Sequence, residues 1–129
     1  MRKLVKKDQI STHFKRSEFA CSCGCGFEAV DKELVEILEE VRAEFGPVNI
    51  SSACRCLKKN REIGSKDTSQ HVKAMACDIW IKGVTPDRIV YWVNDHLLYH
   101  TGGLGIYNDF CHIDIRRTRA RWDNRTKNA

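Results

Sequence analysis

The stretch GLGIYNDFCHIDI, Gly103 to Ile115, decides the fold. Two short runs rich in β-branched and aromatic residues, GLGIY (103–107) and FCHIDI (110–115), flank Asn108-Asp109. Strand-like runs split by a two-residue Asn/Asp step predict an antiparallel hairpin. Side chains alternate along a strand, so His112 and Asp114 share one face, with Cys111 and Ile113 on the other.

Working outward, VNIS (48–51) and ACDIWI (76–81) read as two more strands. In ACDIWI, Asp78 shares a face with Trp80. The segment VDKELVEILEEVRAEFG (30–46) has helical spacing at Leu34, Leu38, Val41 and Phe45, and Ile37 widens the stripe. Asp31 is placed to cap its start, and Gly46-Pro47 to end it. A second helix is expected in TPDRIVYWVNDHLLYHTGG (85–103), with Thr85 as N-cap, Pro86 at the first helical position, and Gly102 or Gly103 as terminator. Ile89, Trp92 or Val93, and Leu97 supply its buried stripe. His96 and His100 stand four apart on it without a third ligand, so they read as surface or core-edge residues. Residues 52–70 are polar and irregular, which predicts a long loop, with a short helix near Lys58–Ile63. Helices and strands do not alternate strictly. The fold class is therefore α+β.

The chain of 129 residues fits a single domain (1–129), with basic tails at about 1–9 and 117–129. Apolar content of 42% and charged content of 30% are those of a soluble globular protein. No run reaches the ~18 apolar residues of a membrane span. The start, MRKLVKKDQIS, is basic but has no apolar core, so no secretory signal is expected. A net charge of +5 favours a polyanion, either nucleic acid or an anionic wall polymer, without choosing between them. Much of the excess lies in the two ends and reads equally as solvated charge.

The chemistry begins with His112 and Asp78. If their strands are neighbours, these two side chains meet on one sheet face. His71, in the turn entering the Asp78 strand, can fold over the same spot. A His/Asp/His set suits a catalytic zinc, which takes three protein ligands and keeps one position for water. Spacing alone leaves this as one possibility, because a histidine on a strand more often packs than ligates.

SQHVKAMACD (Ser69–Asp78) resembles the Ser-x-His-x-x-Gly-x-Ala-x-Asp signature of the zinc D-alanyl-D-alanine peptidases of bacterial cell walls. DFCHIDIR is similar to that family's later segment, which holds the third ligand. ISTHFKRSEFACSCGCGFEAVD and ISSACRCLKKNREIGS are similar to the N-terminal and arginine-bearing segments of its small, single-domain branch. The resemblance covers roughly Ile10 to Trp122. It implies a hedgehog/DD-peptidase-like fold: a small, mostly antiparallel sheet with helices packed on one side and the zinc site on the sheet face. It also implies His71, Asp78 and His112 as zinc ligands. Asp109, three residues before the last ligand, matches the family's acidic general base, and Asp114 is the rival base or a group that orients a ligand. Arg55 matches the arginine that pairs with substrate or the developing oxyanion, a role its fixed guanidinium fork suits. Ser69 bonds the local backbone, a ligand or substrate. Ala74 replaces the signature's glycine, a departure that bears on the shape of the loop.

Seven cysteines form an odd set, which favours thiols made in a reducing compartment. Cys21, Cys23, Cys25, Cys54 and Cys56 fall in two clusters that could hold a structural metal or form disulfides. Cys77 and Cys111 read as small buried hydrophobes.

The resemblance thus implies a zinc metallopeptidase cutting a peptide bond in the peptidoglycan stem or cross-link, as a D,D-carboxypeptidase or endopeptidase. The expected protein is a monomer made in the cytoplasm and acting on the wall, as a phage or prophage lysis protein would after release. A catalytically silent wall-binding or virion domain of the same fold is the alternative. A nucleic-acid binder would rest on the basic tail alone.

Overall fold

A computed structural model describes residues 9–21, 30–53, 60, 62–65, 69–71 and 75–126. Helix α1 spans Lys32–Phe45 and helix α2 spans Pro86–His96. Strands β1 (Asn49–Ser52), β2 (Ala76–Trp80), β3 (Gly103–Ile106), β4 (Cys111–Asp114) and β5 (Ala120–Asp123) form one sheet in the order β1-β2-β4-β3-β5. Every pairing is antiparallel except β3 with β5. The fold is the small α+β type expected, with a five-stranded, mostly antiparallel sheet.

Alternation along the strands divides the sheet into two faces. Cys77, Ile79, Leu104, Ile106, Cys111 and Ile113 are buried on one face, in a single hydrophobic cluster with the stripes of the two helices. Those stripes are Leu34, Ile37, Leu38 and Val41 from α1 and Ile89, Val90 and Val93 from α2. The Phe45 and Trp92 rings meet edge to face at 5.7 Å and join the helices. The opposite face carries Asp78, His112, Asp114, Gly103, Gly105 and Trp122.

The helix boundaries follow from the capping chemistry. The Asp31 carboxylate accepts the Glu33 N–H at 2.9 Å, and Gly46, at φ +97°, closes α1 with its N–H on the Arg42 carbonyl. Thr85 occupies the N-cap position of α2 and Pro86 its first turn. This second helix ends at His96 rather than at the glycines expected to stop it. The Arg121 guanidinium donates to the carbonyls of Leu98, Thr101 and Gly102, and its Nε donates to Asn94 at 2.8 Å. The arginine from β5 thus satisfies carbonyls beyond the end of α2 that have no helical partner. Gly102, at φ +78°, instead turns the chain into β3.

The hairpin between β3 and β4 forms as predicted, with Tyr107 N–H on the Phe110 carbonyl at 3.0 Å. The stretch from 117, expected as a basic tail, contributes β5. Its Ala120 N–H reaches Gly102 and the Asn124 N–H reaches Ile106. The short helix expected near Lys58–Ile63 falls largely outside the described residues.

Candidate metal centre

The sheet register places one residue from each of four strands in a row: Asp78 opposite His112, His112 opposite Gly105, and Gly105 opposite Trp122. The next row runs Ala76, Asp114, Gly103, Ala120. His71 reaches the first row from the turn before β2. Its backbone N–H donates to the Ser69 hydroxyl at 3.3 Å, and its ring Nδ1 lies 2.5 Å from the Ala53 carbonyl. A carbonyl only accepts, so Nδ1 carries the hydrogen and the Nε2 lone pair faces inward. Nε2 stands 3.4 Å from Asp78 Oδ2.

His112 is fixed in the complementary sense. Its Nε2 lies 2.7 Å from Asp114 Oδ2, and its Nδ1 lies 3.0 Å from Asp78 Oδ1. A carboxylate behind Nε2 leaves Nδ1 as the nitrogen turned toward Asp78 and His71. The His71 and His112 rings are 5.2 Å apart, edge to face. One donor atom from each of His71, Asp78 and His112 lies within 4.8 Å of the other two. Ligands at the ~2.0–2.2 Å bond lengths of tetrahedral zinc sit roughly 3.3 Å from one another. Two imidazoles with their outer nitrogens already engaged, plus one carboxylate, therefore fit a divalent cation with little adjustment.

The electrostatics agree. Burial alone would push the Asp78 carboxyl up, but the His112 and His71 imidazoles set against its two oxygens outweigh it and hold it at about 2. Burial likewise opposes ionisation of Asp114, yet its bonds from His112 and Arg116 keep it well below the usual carboxylate range. His112, although buried, is raised above an ordinary histidine by the carboxylates of Asp114 and Asp78. The site is thus a neutralising cluster of anionic oxygen around imidazole, suited to replacing a proton with a metal ion.

Of the expected site residues, His71, Asp78 and His112 come together, and Asp114 stands directly behind His112. The two candidate bases occupy opposite environments. Asp109 is exposed in the β3–β4 hairpin. Asp114 is fully buried and accepts from Gly103 N at 2.9 Å, Arg116 N at 3.0 Å, Arg116 Nε at 2.8 Å, Arg116 Nη2 at 2.6 Å and His112 Nε2. A carboxylate with both oxygens engaged in this way has no lone pair to offer a water. Arg55, Ala74, Cys23, Cys25, Cys54 and Cys56 lie outside the described residues, and Cys21 is buried. Cys77 and Cys111 are buried as expected; burial pushes both thiols up, Cys111 to about 12.

Sequence reasoning missed Arg116, Trp122 and the glycines Gly103 and Gly105. A signal was present: both glycines fall on the same strand face as His112, and glycine inside a strand marks close approach of another group.

Residues 12–114 match the family model described as Peptidase M15. No curated protein matches the chain significantly.

Proposed function

From the chain's membership of the peptidase M15 family, a family of zinc metallopeptidases, we propose that this protein hydrolyses a peptide bond in bacterial peptidoglycan, in the stem peptide or the cross-link, as a D,D-carboxypeptidase or endopeptidase. The observation that carries the proposal is the convergence of His71, Asp78 and His112 on one face of the sheet.

His71 Nε2, His112 Nδ1 and an Asp78 oxygen would hold the zinc. When bound, zinc acidifies a water and polarises a carbonyl, chemistry that these side chains cannot supply alone. Asp109, exposed on the hairpin that leads into His112, accepts the proton of the attacking water and passes it to the leaving amine. Aspartate is one methylene shorter than glutamate, so the hairpin must bring it close. Arg55 pairs with the substrate carboxylate or the developing oxyanion through its guanidinium fork. Ser69 holds the His71 backbone in the turn. Asp114 orients His112 and does not exchange protons with substrate.

Mass spectrometry of purified muropeptides incubated with the zinc-loaded protein tests this directly. The expected result is loss of a terminal D-alanine or opening of a cross-link, abolished in Asp109→Ala while zinc remains bound. A zinc-loaded wild-type protein that leaves every muropeptide intact would overturn the proposal in favour of a silent wall-binding domain.

A further inference from the structure

Trp122 lies at the end of the site row, on the edge strand β5. Its indole rests on Gly105: a Cβ at that position would fall 2.2 Å from Trp122 Nε1 and 2.3 Å from Cε2. The ring then contacts two members of the network behind the metal ligands. Its centroid is 5.1 Å from that of His112, and Arg116 Cζ stands 5.4 Å from the indole centroid. Trp122 Nε1 donates to the Tyr107 hydroxyl at 2.9 Å, and the Tyr107 ring is itself held by stacking on Phe110 at 4.4 Å. Gly103 has the matching role in the neighbouring row. A Cβ there would lie 2.3 Å from Asp114 Oδ2 and 2.8 Å from Arg116 Nε. The two glycines of GLGIY thus make room for the Asp114–Arg116 pair and for the indole beside it.

We propose that Trp122 is a positioning residue for the metal centre: seated on Gly105, it roofs the His112–Asp114–Arg116 chain and keeps the His112 ring turned with Nδ1 toward Asp78 and His71. The inference rests on the reading of His112 as a metal ligand. Its physical basis is water exclusion. The bond from His112 Nε2 to Asp114 fixes which nitrogen faces the metal, and such a bond weakens when water competes for either partner. Asp114 is fully buried, whereas the Arg116 side chain is 31% exposed, so the arginine is where water would enter. The indole lies against that arginine and against His112. Tyr107 and Phe110 flank the turn that carries Asp109, so the same contacts tie that hairpin to the ligand it precedes.

The test is zinc affinity, measured by competition with a chromophoric chelator on the folded, metal-free chain. Trp122→Ala should weaken zinc roughly 10–100-fold, the range found when groups that orient a ligand are removed. Gly105→Ala leaves Trp122 in the sequence but denies it its seat, and should weaken zinc to a similar degree. Because both changes remove one interaction, the double variant should be little worse than either single. In the zinc-loaded wild type, the His112 Nε2–H proton should be visible by NMR and slow to exchange, and it should exchange rapidly in Trp122→Ala. If Trp122→Ala does not fold, Tyr107→Phe removes a single hydroxyl and should still weaken zinc several-fold and speed that exchange.

A wild-type protein that fails to bind zinc refutes the ligand assignment itself. A wild type that binds zinc, with folded Trp122→Ala or Tyr107→Phe variants of unchanged affinity and exchange, refutes the positioning role alone. Additive losses in the double variant likewise refute it, as does a fall in melting temperature with no change in zinc affinity.

Discussion

Asp114→Asn separates a group that orients His112 from one that moves protons. Asparagine keeps the shape and loses the charge. With its carbonyl at the Oδ1 position it still accepts from Gly103 N, Arg116 N and Arg116 Nε. Its amide then faces Arg116 Nη2 and His112 Nε2, two donors that met a carboxylate oxygen at 2.6 and 2.7 Å. Hydrogen bonds to charged groups are worth about 1.5–3 kcal/mol each. Losing two suggests ~3–6 kcal/mol, and Arg116 can recover some of this by turning to water, so we expect a loss of ~2–4 kcal/mol. His112 has one way to relieve the clash: it can move its proton from Nε2 to Nδ1 and accept from the new amide. That tautomer points a hydrogen at Asp78 and withdraws the lone pair from the metal. Zinc affinity should therefore fall roughly 10–100-fold. Urea unfolding of the metal-free chain reads the first effect, and chelator competition reads the second. Turnover at saturating zinc should recover substantially. If Asp114→Asn instead keeps wild-type stability and zinc affinity while turnover collapses, Asp114 is the base and the assignment to Asp109 is wrong.

Four further outcomes follow from other regions of the molecule. His71→Ala should abolish zinc binding and cleavage yet leave the far-UV circular dichroism of the metal-free chain unchanged, because the hydrophobic cluster lies on the other sheet face; an unfolded variant would show that the turn carries more of the fold than its packing indicates. Arg121→Ala removes the donor that holds the carbonyls of Leu98 and Gly102 and should cost ~1–3 kcal/mol in urea unfolding, with zinc affinity little changed. Cys77 and Cys111 are wholly buried, so peptide mapping after brief alkylation of the native protein should find both unmodified, and labelling comparable to that in urea would contradict the packing described. Burial alone would raise the Glu39 carboxyl, but the bonds from the His13 N–H and ring lower it, so its contribution is present above the usual glutamate value and fades as the pH falls below it. Glu39→Gln should flatten the acid limb of stability by no more than ~1 kcal/mol, since the pair is partly solvated; an effect confined to alkaline pH would reverse the sign argued here.

Much of this architecture is legible because strand periodicity is strict. A period of two puts Asp78 with Trp80 and His112 with Asp114, and the core residues Cys77, Ile79, Cys111 and Ile113 on the other face. Period alone does not say which strands are neighbours. The meeting of β2 with β4 brings Asp78 opposite His112, and nothing local in ACDIWI requires it. The end of α2 escapes a local reading for a related reason. Local propensity runs on through Leu97 and Leu98 to the glycines, but the Leu98 carbonyl is capped by Arg121, more than twenty residues away. The same distance hides β5, since a run such as RRTRARW reads as solvated charge until one arginine is found turned onto backbone carbonyls and the tryptophan onto the site row.

The two glycines of GLGIY carry the lesson furthest. Within a strand, glycine loses backbone entropy and packs nothing, so its local physics is purely unfavourable. Gly103 and Gly105 stand on the His112 face at consecutive inward positions, and each is where another strand's group is seated: the Asp114–Arg116 pair on one, the Trp122 indole on the other. A cost that the strand cannot recover locally is offset across the sheet, where room for those groups keeps the His112 ring in one orientation. A strand whose glycines all fall on the face of a candidate ligand therefore points to a group that must lie against that ligand, before the group itself can be named.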